Sequence, residues 1–140
     1  FRCKIPGRVR ILKNGKKICR SRKTGRTFIT KSDRYVRWEI FASVIVGRAH
    51  RGPAIDFPVN LSAKFHLSNF QHQHDLTNAI QSVEEVLQKC GVIVDDKLVV
   101  SLDGSRKIIP AEGDFVEIEI TRATAYPKPG ELISPPAEAR

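Results

Sequence analysis

The sequence predicts an α+β fold, a small mixed β-sheet with two packed α-helices. Three observations predict it. Residues 57–67, FPVNLSAKFHL, alternate apolar and polar, as a strand buried on one face does. Residues 75–90 place Leu76, Ala79, Ile80, Val83, Val86, Leu87 and Cys90 three and four apart, the stripe of an amphipathic helix, with Gly91 as its stop. Residues 32–48 carry a second wide apolar helical face: Tyr35, Val36, Trp38, Ile40, Phe41, Val44 and Ile45. A chain of 140 residues suffices for one domain, expected over residues 1–122, followed by a Pro-rich C-terminal tail at 123–140.

In chain order, residues 1–5 form a short strand ended by the Pro6-Gly7 turn. Phe1 in place of methionine reads as a trimmed start, and the first ten residues lack the apolar core of a secretory signal. Arg8 to Arg26 is basic and broken by Asn14-Gly15 and Thr24-Gly25, the first a strong hairpin signal. It is expected to be a mobile arm or hairpin, loose until an anion neutralises it. Ser32 or Thr30 caps the first helix. Tyr35 and Trp38 belong to its core stripe rather than to a base-stacking platform. After the strand at 57–67 and the central helix come strands at Leu98–Leu102, Arg106–Ile109 and Phe115–Thr121, separated by turns at Asp103-Gly104 and Glu112-Gly113.

Charge narrows the function classes. The first 51 residues hold 16 of the 24 Lys and Arg but only Asp33 and Glu39 as acids, a local net of +14 within an overall +9. Such asymmetry points to a polyanionic partner. The candidate contacts are Lys13, Lys16, Lys17, Arg20, Arg22, Lys23 and Arg26. No apolar run is long enough for a membrane helix, and no amphipathic helical pattern accompanies the basic run, so membrane binding is not expected. Three separated cysteines without a CxxC give neither a zinc ribbon nor a disulfide framework, and a reducing, cytoplasmic setting is expected. There is no GxSxG, P-loop or GxGxxG pattern.

The acids bracketing the central helix are the candidate chemistry. Asp75 opens it, Asp95 and Asp96 follow it, and Glu84 and Glu85 lie on its polar side. One account makes Asp75 an N-cap, Glu84 and Glu85 solvent-facing, and Asp95-Asp96 a polar turn. The other makes the clustered carboxylates ligands of a hard divalent ion that assists phosphodiester hydrolysis. His66, His72 and His74 are expected on an exposed polar loop rather than in a metal site with Asp75, with His74 placed to tune Asp75 or touch phosphate.

The run Asp75-Leu76-Thr77-Asn78, then Glu85-Val86-Leu87, then Asp95-Asp96-Lys97-Leu98-Val99-Val100 resembles the signature of RusA-type Holliday junction resolvases. That pattern is Asp-x-Asp-Asn, a lysine one turn on, an Asp-x-Leu-like segment, and Asp-Asp before an apolar strand. Ile5-Pro6-Gly7, the strand after Pro58 and the Lys107 region fit its surroundings, so the resemblance spans residues 1–122, with its specific part in 75–99. It implies an endodeoxyribonuclease dependent on Mg²⁺ (or Mn²⁺), acting as a homodimer on branched DNA such as four-way junctions in recombination and repair. By the same resemblance Asp75 and Asp96 are catalytic and hold metal, with Asp95 as their neighbour; Glu85, two turns further along the helix, is a metal ligand only if the site has shifted. Two positions depart from the pattern: Thr77 replaces its second aspartate and Gln81 its lysine. Two further readings therefore stand beside the nuclease. One is a catalytically silent branched-DNA-binding homologue; the other is a basic scaffold protein of an RNA assembly.

Overall fold

The computed structural model describes residues 1–12 and 16–124. Its strands are β1 (Arg2–Pro6), β2 (Lys16–Arg20), β3 (Thr27–Lys31), β4 (Val59–His66), β5 (Val99–Ser101), β6 (Arg106–Ile108) and β7 (Phe115–Arg122). Its helices are α1 (Asp33–Ala49) and α2 (Leu76–Lys89). The expected α+β architecture with a mixed sheet and two helices is observed. Lys13, the Asn14-Gly15 signal, the side chain of Lys16 and residues 125–140 of the expected tail lie outside the described residues.

β4 is the centre of a five-stranded sheet. β7 pairs antiparallel along its whole length, from Val59↔Arg122 to His66↔Phe115, and β1 pairs antiparallel with β7 beyond it. On the other edge β5 pairs parallel near the start of β4 (Val59↔Val99), and β6 pairs parallel at its end (Phe65↔Lys107). A parallel pair needs a crossover, and α2 supplies it between β4 and β5. This connection decides where the acids go. Asp75 follows β4 and Asp96 precedes β5, so the helix length separates them.

The periodicities explain the core. Val59, Leu61, Ala63, Phe65 and Leu67 are all buried from the predicted face of β4. Ala79, Ile80, Val83, Val86 and Leu87 bury the stripe of α2, and Tyr35, Trp38, Ala42 and Val46 that of α1. With Ile5, Val116, Ile118 and Ile120 all of these except Leu67 form one cluster. Burying each large apolar side chain contributes roughly 1.5–3 kcal/mol. Cys90 is partly buried against this cluster, and its thiol reaches the Ser43 carbonyl at 3.5 Å. Gly91 ends α2 with φ +72°, and the Val92 N–H closes back on the Leu87 carbonyl at 2.9 Å. Ser32 is the cap of α1, its hydroxyl accepting from the Tyr35 N–H at 3.2 Å.

One expectation is borne out and one differs. The basic segment is a hairpin, β2 against β3 in the register Ile18↔Ile29, and its turn at Ser21–Arg26 contains the Thr24-Gly25 break. The pairing runs on to Lys31, so the turn must sit midway between strands at 16–20 and 27–31. The apolar face of α1 is wider than its core contact: Val36, Ile40, Phe41 and Val44 are exposed. The buried stripe is set by Tyr35, Trp38, Ala42 and Val46, and the other residues point away from it.

Candidate functional site

Asp75 occupies the N-cap position of α2, but its side chain makes no capping hydrogen bond. Its main-chain carbonyl accepts the Ala79 N–H at 3.0 Å, while the carboxylate is exposed and, among the described residues, accepts only from Asn78 Nδ2 at 3.3 Å. The simple N-cap account of this carboxylate does not hold. The loop leading to it is pinned from β7. Asp114 accepts from the Ser68 N–H (2.7 Å) and hydroxyl (2.8 Å) and pairs with His72 Nδ1 (2.8 Å). The Ser68 N–H, followed by the hydroxyl and His72, holds the Asp114 carboxyl below its ordinary value against burial. From β6, Lys107 Nζ donates to Gln73 Oε1 (2.9 Å) and to the His74 carbonyl (3.3 Å), which brings a cation to the residue beside Asp75.

At the other end the acidic pair divides its labour. Asp95 accepts the Lys97 N–H at 2.9 Å and caps a short 3₁₀ turn, Asp96–Leu98. That N–H, with the adjoining Asp96 carboxyl, holds Asp95 below its ordinary value. Asp96 is exposed, and its carboxyl adjoins that of Asp95. Glu84 and Glu85 are half-buried rather than solvent-facing. Burial and the nearby Asp96 carboxylate push Glu84 up. Glu85 points elsewhere, accepting from the Tyr35 hydroxyl at 3.0 Å. Burial and the Glu85 charge push the Tyr35 hydroxyl up.

Asp75, Asp95, Asp96 and Glu85 are thus not assembled as one ligand set. Among the described residues no three His, Cys, Asp or Glu side chains are grouped to hold a metal ion. The reason is geometric: Glu84, which faces Asp96, lies nine residues beyond Asp75, about 13 Å along a helix. Thr77 and Gln81 occupy the exposed face between, as neutral groups. The histidines do not gather around Asp75 either. His66 pairs with Glu117 at 2.6 Å and His72 with Asp114. His74 packs toward Arg8, and burial together with the Arg8, Arg10 and Lys107 charges pushes it down despite a bond to the Val9 backbone.

On the basic side, Arg20, Arg22, Lys23 and Arg26 are exposed at the hairpin end, with no acidic partner among the described residues. Arg20 Nε donates to the Gly25 carbonyl at 3.1 Å and braces the turn. Lys17 is not free: it pairs with Asp33 at 2.8 Å and ties the hairpin to α1. Arg8, Arg10 and Lys107, which face His74, were not legible as site residues. They lie up to 99 positions apart in sequence and share no local spacing.

No protein-family model matches the chain. Over 97 residues it is 30% identical to the crossover junction endodeoxyribonuclease RusA of Aquifex aeolicus (strain VF5), a match covering 69% of this chain and 75% of that protein. At this identity and coverage the chain belongs to the RusA family of crossover junction endodeoxyribonucleases.

Proposed function

We propose that the protein binds branched DNA, four-way junctions above all, and nicks it as a metal-dependent structure-specific endonuclease of recombination and repair. The observation that carries the reading is the exposed Asp75 carboxylate. Its side chain makes no cap for its own helix and sits on a loop fixed by Asp114 and Lys107, where incoming phosphate meets cations from two segments, Arg8 and Arg10 after β1 and Lys107 on β6. The hairpin cations Arg20, Arg22, Lys23 and Arg26 hold the phosphate backbone, giving affinity with little sequence readout. The setting of this reading is the cytoplasm; among the described residues no helix is long and apolar enough to cross a membrane.

The implied cofactor is Mg²⁺, or Mn²⁺. The carboxylates do not form a ready cage for it: Asp75 stands at one end of the α2 face and Asp96 with Glu84 at the other. Mg²⁺ commonly takes one or two protein carboxylates and leaves its other positions to water and substrate phosphate. That separation, with Thr77 and Gln81 in the gap, favours a second reading, a homologue that binds junctions without cutting them.

A homodimer is part of the proposal, since paired nicks suit a twofold axis. The exposed residues Val36, Ile40, Phe41 and Val44 give α1 an unpartnered apolar face suited to a second copy. The deciding assay is cleavage of a synthetic four-way junction with Mg²⁺ or Mn²⁺. Nicking lost in Asp75→Asn and in Asp96→Asn supports the enzyme. Tight junction binding without nicking at any metal concentration selects the silent homologue. Preference for RNA in a competition gel shift overturns both.

A further inference from the structure

Behind Asp75 lies a pocket of about 220 Å³ that the hairpin contacts leave unexplained. It is lined by Arg8, Arg10 and Ile11 from the loop after β1, by Ser32, Arg34 and Tyr35 from the start of α1, and by His74. Three guanidinium-bearing residues converge there, and among the described residues no acidic side chain lines it. None of the three makes a salt bridge among the described residues. Such a concentration of like charge is costly unless an anion completes it. Partial burial and the Arg8 and Arg34 charges push Arg10 down.

Two lining polar atoms are buried and idle. Arg8 Nε and His74 Nε2 are shielded from solvent yet find no hydrogen-bond partner among the described residues. Buried polar atoms without partners are uncommon and call for an explanation. Arg34 stands in the first turn of a 17-residue helix, where the helix dipole also favours an anion. Val9 and Ile11 are buried and anchor the loop that presents Arg8 and Arg10. Guanidinium forks match tetrahedral phosphate oxygens in a way that a spread of surface lysines does not.

We infer that Arg8, Arg10, Arg34 and His74 form a phosphate-binding pocket that seats one backbone phosphate of the DNA strand passing Asp75. The inference rests on the nucleic-acid reading above but not on cleavage. The pocket fixes the strand's position along α2, while the hairpin supplies diffuse attraction. Its neighbour through the chain is the carboxylate itself, since His74 precedes Asp75.

The test is fluorescence-anisotropy binding in EDTA, with a labelled four-way junction and a matched duplex, across a salt series. Arg10→Ala/Arg34→Ala should bind the junction about tenfold more weakly at physiological salt, with the slope of log K against log salt reduced by about 0.9, one phosphate contact. Arg10→Lys/Arg34→Lys keeps the charge and should recover less than half of that loss on a logarithmic scale, because lysine cannot present the fork. An unchanged affinity and slope in the alanine variant overturns the pocket. Full recovery by lysine also overturns it, reducing the arginines to diffuse charge. The junction-to-duplex ratio of the wild type judges the branched-DNA reading separately, because the slope change can be scored on duplex alone.

Discussion

Glu39→Gln is the sharpest perturbation of the scaffold behind the site. Glu39 is a charged residue of α1 that is only 6% exposed. Its carboxylate accepts from Lys31 Nζ of β3 at 3.1 and 3.4 Å and from Lys89 Nζ of α2 at 3.0 Å. It therefore pins the basic hairpin and the end of α2 to one helix. Hydrogen bonds to charged groups contribute about 1.5–3 kcal/mol each, and breaking a buried pair costs about 3–5 kcal/mol. The two lysine side chains are 42% and 55% exposed and can turn to water, which lowers the cost. The expected loss is about 2 kcal/mol, or roughly 6–8 °C in Tm for a domain of this size.

The pH dependence adds a second readout. Burial pushes Glu39 up, but its bonds to Lys89 and Lys31 outweigh that and hold it below the ordinary value of 4.5. A depressed carboxyl stabilises the fold fully above its unfolded value and loses that contribution as pH falls through its folded value. The gap in stability between wild type and Glu39→Gln should therefore be widest near neutrality and close as pH drops below the ordinary value. Urea unfolding followed by circular dichroism, at a series of pH values, measures both. A variant within about 0.5 kcal/mol of wild type at neutral pH would refute the reasoning. So would a gap that persists unchanged into acid.

Restoring the family pattern with Thr77→Asp/Gln81→Lys should raise the single-turnover nicking rate by about tenfold or more, since charged groups placed at a transition state act strongly; no gain in rate means the neutral face is not what limits cleavage. Asp114→Asn should loosen the loop before Asp75 and lower nicking more than global stability, and in the wild type the depressed Asp114 carboxyl makes this restraint fade only as pH falls below the ordinary Asp range; proteolysis near residue 70 tracks it. Phe41→Asp should shift a dimer to monomer in sedimentation velocity with little change in melting, because Phe41 is 48% exposed in the protomer. Gly104→Ala should cost about 1–3 kcal/mol by thermal melt, as its φ is +89° and an added Cβ meets Ser62 Oγ at 2.9 Å.

How far the sequence could be read is clear from particular residues. The strand from Val59 and the helix from Leu76 were legible because alternation and the three-four stripe report burial one residue at a time. Gly91 and Ser32 marked their helix ends because caps are local chemistry. The hairpin turn was legible at Thr24-Gly25, but not which strands it joins, because the extent of β2–β3 pairing is not local. Val36, Ile40, Phe41 and Val44 were legible as apolar but not as exposed, since pattern does not reveal which part of a wide face meets the sheet.

The amino-acid order by itself determined that Asp75 and Asp96 bracket an amphipathic helix, that Thr77 and Gln81 are neutral, and that positive charge is concentrated in the first third of the chain. Only the tertiary structure decided what those residues can reach. A parallel β4–α2–β5 crossover sets the helix length between its flanking acids, so residues that read as one cluster lie at separate points of one face. The same packing carries the loop after β1 against the start of α1 and the end of the loop before α2. Arg8, Arg10, Arg34 and His74 meet there across 66 positions of sequence. Periodicity records which side of an element is buried; it holds no information on which elements will share that side.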